Sequence, residues 1–192
     1  CNQYLAMAGD TDATMSAEIR FVRALHYFLL MDGWGNIPFT LEPMTKPEQR
    51  SRAQMYEWLE QELIGIEPAL SEAKAKKSTD AGYGRVDKAA CWLLLSRLYL
   101  NSEIYTGTAQ WQKAKEYADK VIKSSYRLNT VGKGGWTAYQ MLIMGDNGET
   151  DAAYEALLPL LQDGLTTTSW GTSLFLIAGC FDGEMHANPN DL

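Results

Sequence analysis

Gly84-Arg85-Val86-Asp87-Lys88-Ala89-Ala90-Cys91-Trp92-Leu93-Leu94-Leu95-Ser96-Arg97-Leu98-Tyr99-Leu100 is the stretch that decides the fold class. The Gly-Arg-Val-Asp step opens a helix, and Ala89, Ala90, Leu93, Leu94, Leu98 and Leu100 make that helix apolar almost all round. A helix without a polar face has to be surrounded by other elements, so this one is predicted to be deeply buried. Thr106-Gly107-Thr108 ends it. A further helix is expected from about Ala109 to Ser124, with Trp111, Ala114, Tyr117, Ala118, Val121 and Ile122 as its apolar face. The turn between the two helices is short, and alanines at the facing positions let the backbones approach closely. That is the construction of a tetratricopeptide repeat of about 34 residues, here in degenerate form because the full consensus is absent.

Working outward, a helix is predicted from about Ser16 to Met31, with Ser16 as N-cap and Glu18 at the positive end of the helix dipole. Phe21, Ala24, Leu25, Phe28 and Leu29 form its apolar face, and Gly33 to Phe39 read as a tight, aromatic-bearing loop. Ser51 precedes another helix, from about Ala53 to Ala73, built on Tyr56, Leu59, Leu63, Ile66 and Leu70. Gly65 and Pro68 are expected to kink or break it. These two helices suit a second hairpin with a long insertion. Beyond Tyr126 the composition changes. Gly132, Gly134, Gly135 and the run from Gly145 to Thr150 mark loops, and Tyr154 to Leu161 suits a short strand or a broken helix. Thr166 to Thr168 favour extended chain, Ser173 to Ala178 suit strand or helix, and the tail from Phe181 reads as loop. The expected class is all-α: tetratricopeptide-like helical hairpins (an α-α superhelix) with long irregular loops and room for a few short strands. Residues 1–128 would form the helical core, and residues 129–192 a loop-rich segment that begins a ligand-binding region.

The chain has a formal net charge of -7 and a pI near 4.9, without a basic stripe. An acidic surface repels phosphate backbones, which argues against a nucleic-acid partner. Cys1, Cys91 and Cys180 are too few and too scattered for a disulfide framework or a zinc pattern. Cys91, in an apolar run, reads as a small buried thiol. Cys1 has two readings, an acylated first residue or an internal residue of a longer chain, and the helix-like residues that follow favour the second. No apolar run approaches the ~18 residues needed to span a bilayer.

Four segments then resemble one family, SusD/RagB, the cell-surface glycan-binding lipoproteins of Bacteroides-like bacteria. Ala17 to Phe28 (AEIRFVRALHYF) is similar to that family's long helix, and Trp34 to Phe39 (WGNIPF) to the turn after it. Gly84 to Leu100 and the stretch from Trp111 to Leu128 resemble its later helical motifs, in the same order. Glu155 to Leu158 (EALL) would fit a variable strand of the family. The resemblance implies a helical, tetratricopeptide-like fold with the ligand site on irregular loops. It implies capture of an oligosaccharide or similar nutrient and its delivery to a SusC-like TonB-dependent transporter. It also implies a lipid-anchored protein at the outer-membrane surface, although no anchor is evident in this chain, and it implies neither an enzyme nor a cofactor. Family members are considerably longer than this chain.

The residues themselves offer little for catalysis. His26 and His186 are the two histidines, and His26 reads as structural. No HExxH, GxSxG, GxxxxGK[ST] or GxGxxG pattern occurs. Glu60/Glu62 and Asp10/Asp12 read as solvated carboxylates rather than a hydrolytic dyad. The oxygen-rich tail of Asp182, Glu184, Asn188, Asn190 and Asp191 lacks the spacing of a calcium loop, so no metal is expected. Arg20, Arg23, Arg85 and Arg97 read as architectural, binding carboxylates or carbonyls between helices. Loop aromatics are more informative, because sugar rings stack their C–H faces on indole and phenol rings while amides and carboxylates hold the hydroxyls. Helical Trp58 and Trp92 read as core, and Trp34 as packing within its turn. Trp136, Tyr139, Asp163 and Trp170 are the candidate ligand-binding residues, with Asp146 and Asn147 nearby. The runner-up function is a tetratricopeptide-like protein-interaction module that binds a peptide or partner helix without glycan. A glycoside hydrolase subunit is a third, weaker reading.

Overall fold

Asp12, not Ser16, starts the first long helix. Its side chain accepts a hydrogen bond from the Met15 N–H (2.9 Å), and the helix begins at the next residue. Ser16 lies inside the first turns and donates to the Gly9 carbonyl instead. The computed structural model describes residues 1–9 and 11–161. Within it a short helix α1 (Asn2–Ala8) precedes this long helix α2 (Ala13–Trp34). Phe21, Ala24, Phe28 and Met31 form the buried stripe of α2. Leu25 is only partly covered and Leu29 is exposed, because each residue turns the helix by about 100° and Leu29 falls beside the Phe28 stripe.

Gly35 ends α2 with φ +77°, a backbone conformation a side chain would strain. The expected loop that follows contains a strand. β1 (Ile37–Phe39) pairs antiparallel with β2 (Glu48–Arg50), Ile37 opposite Arg50 and Phe39 opposite Glu48. Ile37 and Phe39 alternate into the core around exposed Pro38, the period-2 pattern of a half-buried strand. Ser51 then caps α3 (Arg52–Ile66) in a reciprocal box with Gln54. Pro68 lies in a 3-10 turn, Glu67–Ala69, that breaks this helix where the Gly65/Pro68 reading put the weakness.

Asp87 caps α4 (Lys88–Leu100), accepting from the backbone N–H of both Ala89 and Ala90. Asn101 interrupts the helix, and a short α5 (Ser102–Thr106) runs to Gly107, which is left-handed at φ +79°. α4 packs against α6 (Trp111–Ile122) as the tetratricopeptide-like hairpin. Ser96 Oγ donates to the Ala114 carbonyl at 2.8 Å, a close approach that the small, buried Ala114 permits. Tyr99 and Tyr117 stack at 5.6 Å between ring centroids. Only Ala114 of the expected α6 face is fully buried. Trp111 and Ile122 are exposed, since α6 meets the described helices along a narrow stripe.

The charged pairs lock these layers together. Glu62, read in the sequence as solvated, is buried on α3 between two arginines of α2. Arg20 approaches it at 2.5 Å and Arg23 at 2.9 Å. Arg85 reaches buried Glu18 at 2.6 Å, and Arg97 lies over the Phe28 ring. Arg20, Arg23 and Arg85 therefore bind carboxylates as expected of them, whereas Arg97 meets an aromatic ring instead. Past α6 the described chain carries 3-10 turns and irregular segments. Glu155 to Leu158, the expected strand, is the end of one such turn (Asp151–Glu155) and the irregular chain after it. Residues Cys1–Pro159 form one compact unit. Among the described residues no helix is long and apolar enough to cross a membrane.

Burial acts to raise the Glu62 pKa, but the hydrogen bonds from Arg20 and Arg23 outweigh it and hold the group below the usual glutamate range. Glu62→Ala leaves two guanidinium groups without their carboxylate. It is expected to lower the unfolding free energy by about 3 kcal/mol in urea titrations at neutral pH. The stabilisation is complete above the unfolded-state value of about 4.3 and is lost as pH falls through the depressed folded value. The gap between wild type and variant should therefore narrow as the titrations are repeated in steps below about pH 4.

Candidate functional site

Asn129 organises the loop that carries two of the four sequence candidates. Its side chain donates to the carbonyls of Val131 (3.2 Å) and Ala138 (2.8 Å) and accepts from the Val131 N–H. Its own N–H donates to the Glu155 carboxylate at 2.9 Å. Between these anchors, Lys133 and Trp136 exchange both backbone hydrogen bonds at 3.1 Å around Gly134 and Gly135. Both glycines have positive φ (+62° and +88°), as a two-residue reversal of this hand requires. Thr137 and Gln140 then cap each other reciprocally and start the 3-10 turn Gln140–Ile143. Lys133 pairs with Asp146 at 3.5 Å, tying the glycine reversal to the following loop.

The aromatic rings on this braced segment face solvent. Trp136 is 49% exposed and Tyr139 is 76% exposed. Large rings left in water on a tied-down loop are available for stacking without a large ordering cost. Asp146 is spent on Lys133, and the Asn147 amide donates to the Leu142 carbonyl, so both serve the loop. Asp163 and Trp170 lie outside the described residues, as do Cys180 and the oxygen-rich tail.

Three tryptophans behave differently from their reading in the sequence, among them Trp92, which is half-buried on α4 and donates its indole N–H to Glu67 at 2.6 Å. Trp34 does not pack within its turn. It stands 74% exposed at the end of α2, because the chain reverses at Gly35 and carries the core-seeking side chains onward to Ile37 and Phe39. Trp58 is half-buried rather than core. It meets Tyr27 at 5.4 Å and Phe39 at 4.9 Å, and it also lines an open cleft of about 370 Å³ between β2 and α3. Sequence reasoning missed this cleft because it depends on the β1–β2 pairing. Its one sequence signal is the polar spacing Gln54, Glu57, Gln61 around Trp58 on α3.

His26 is exposed, with Nδ1 2.7 Å from the Val22 carbonyl. Cys91 is fully buried with its thiol on the Leu63 carbonyl, and burial pushes its pKa up to about 12. No group of three or more His, Cys, Asp and Glu side chains is placed to hold a metal ion among the described residues.

No family model matches the chain. It is 42% identical over 176 residues to the starch-binding protein SusD of Bacteroides thetaiotaomicron, a match covering 89% of this chain. The chain spans 30% of the length of that curated relative. Among solved structures it is similar to a SusD-like protein of Bacteroides fragilis, with a TM-score of 0.60 at 19% identity, a likeness of fold. That match covers 79% of this chain and 29% of the other. It is also similar to the surface glycan-binding protein A of Bacteroides uniformis, with a TM-score of 0.54 at 28% identity, over 67% of this chain and 30% of the other.

Asn129→Ala removes three side-chain hydrogen bonds from the aromatic loop, each worth about 1 kcal/mol. Tryptic cleavage after Lys133 is expected to quicken at least fivefold, with the helical circular dichroism unchanged.

Proposed function

The chain is SusD-like over the stretch it spans, and from that premise we propose that it binds an oligosaccharide at the cell surface and delivers it to a SusC-like TonB-dependent outer-membrane transporter. The observation that carries this reading is the 42% identity to a starch-binding protein over nearly the whole chain. In this reading the protein is a capture module and not an enzyme, held at the outer membrane by a lipid anchor. Residues 1–128 serve as helical scaffold, and residues 129–192 begin the ligand-binding region. Trp136 and Tyr139 provide stacking surfaces, and Asp163 and Trp170 belong to the same region. The exposure of both rings on a hydrogen-bonded loop supports that role.

Affinity electrophoresis of the protein through gels containing starch, pullulan or laminarin tests the proposal. Retardation by at least one neutral polysaccharide is expected. Trp136→Ala and Tyr139→Ala should each weaken it about tenfold, or ~1.4 kcal/mol. Migration unchanged in every gel, with firm binding of a peptide or partner helix, would replace the proposal with a protein-interaction module.

A further inference from the structure

We infer that the cleft between β2 and α3 is a second glycan subsite, separate from the aromatic loop and selective for neutral sugars. Glu48, Gln49 and Arg50 line it from β2, and Gln54, Glu57, Trp58 and Gln61 from α3. The helical residues fall at three- and four-residue spacing, so they share one face of α3. The cleft's volume of about 370 Å³ lies within the ~300–1,000 Å³ of small-ligand sites.

Its chemistry matches a hexose more closely than other ligands. Trp58 is half-buried and wedged against Tyr27 and Phe39, so its indole is fixed before any ligand arrives. A fixed aromatic surface is what the C–H face of a pyranose stacks on. Around it, the side chains of Gln49, Glu57 and Gln61 have no hydrogen-bond or ion-pair partner among the described residues. The amides of Gln49 and Gln61 can each donate and accept, and the Glu57 carboxylate accepts twice, which suits vicinal hydroxyls. Arg50 is held 3.9 Å over the Phe39 ring, leaving its guanidinium edge as a fork of donors. The frame is rigid, with the β1–β2 pairing on one side and the Ser51–Gln54 capping box on the other. Two glutamates against one arginine give the cleft a formal charge of -1. That charge disfavours uronates and sulfated sugars and selects for neutral ones. The inference rests on the reading of the chain as glycan-binding.

The test is calorimetric titration of the protein with maltoheptaose, laminarihexaose and an oligogalacturonate. The double variant Glu57→Ala/Gln61→Ala changes exposed side chains only, so it is expected to fold. It should lose at least fivefold in affinity for the neutral oligosaccharide that binds, and Trp136→Ala should leave that component in place. If wild type binds and the double variant titrates identically, the cleft is not a subsite, while the proposed function stands. If wild type binds neither neutral oligosaccharide, both readings fall. Tight oligogalacturonate binding abolished by the double variant would overturn the neutral selectivity.

Discussion

The structure turns on one carboxylate. Glu62, projecting from α3, accepts hydrogen bonds from Arg20 and Arg23 of α2 on both of its oxygens. Two cations on one buried anion add little net stability compared with a well-packed apolar contact, because all three groups lose hydration. What they impose is register. Sliding α3 by one turn would leave the arginines facing Leu59 or Ile66, which are buried apolar positions. Other features depend on this register. Arg23 also reaches Asn2 of α1 and lies over the Trp58 ring. Trp58 in turn packs on Phe39 and so seats the β1–β2 insertion against α3.

A second chain of contacts carries the helical order out to the aromatic loop. Asp87 caps α4 with one oxygen and uses the other to accept from the Lys74 N–H and the Tyr126 hydroxyl. Burial, reinforced by Asp87, raises the Tyr126 pKa and keeps the hydroxyl protonated as a donor. Arg127 then donates its backbone N–H to the Tyr154 carbonyl, and Asn129 takes up the Glu155 carboxylate. Positions 126, 127 and 129 are thus fastened in succession just before the loop that carries Trp136 and Tyr139. Lys113 and Lys120 of α6, seven residues apart, meet Glu60 and Glu67 and hold the hairpin against α3.

The sequence shows most of the helices and little of the geometry between them. Caps and breaks are local chemistry, so Ser51, Pro68, Asp87 and Gly107 could be read directly. The arginines were legible as a class, because four guanidinium groups on apolar helices need partners. The partner of Arg20 and Arg23 was not legible. Glu62 sits in a charged run with Glu57 and Glu60 that looks solvated in one dimension, and only the packing of α2 on α3 buries it. β1 and β2 are three residues each, too short to give a period, and their pairing spans an insertion of unhelpful composition. The cleft at Trp58 follows from that pairing and was hidden with it. The outer face of α6 shows the converse. An apolar residue at helical spacing predicts a neighbour, and the neighbour is absent among the described residues.

The central claim is that a rigid helical scaffold presents solvent-facing aromatic surfaces to a glycan. Amide chemical-shift mapping of the isotope-labelled protein during titration with malto-oligosaccharide tests it most directly. The expected result is saturable shifts confined to residues 129–143 and to the β2–α3 cleft, with the α2–α3 amides around Glu62 unmoved. Shifts absent throughout, or spread across the α2–α3 core instead of those two surfaces, would contradict it.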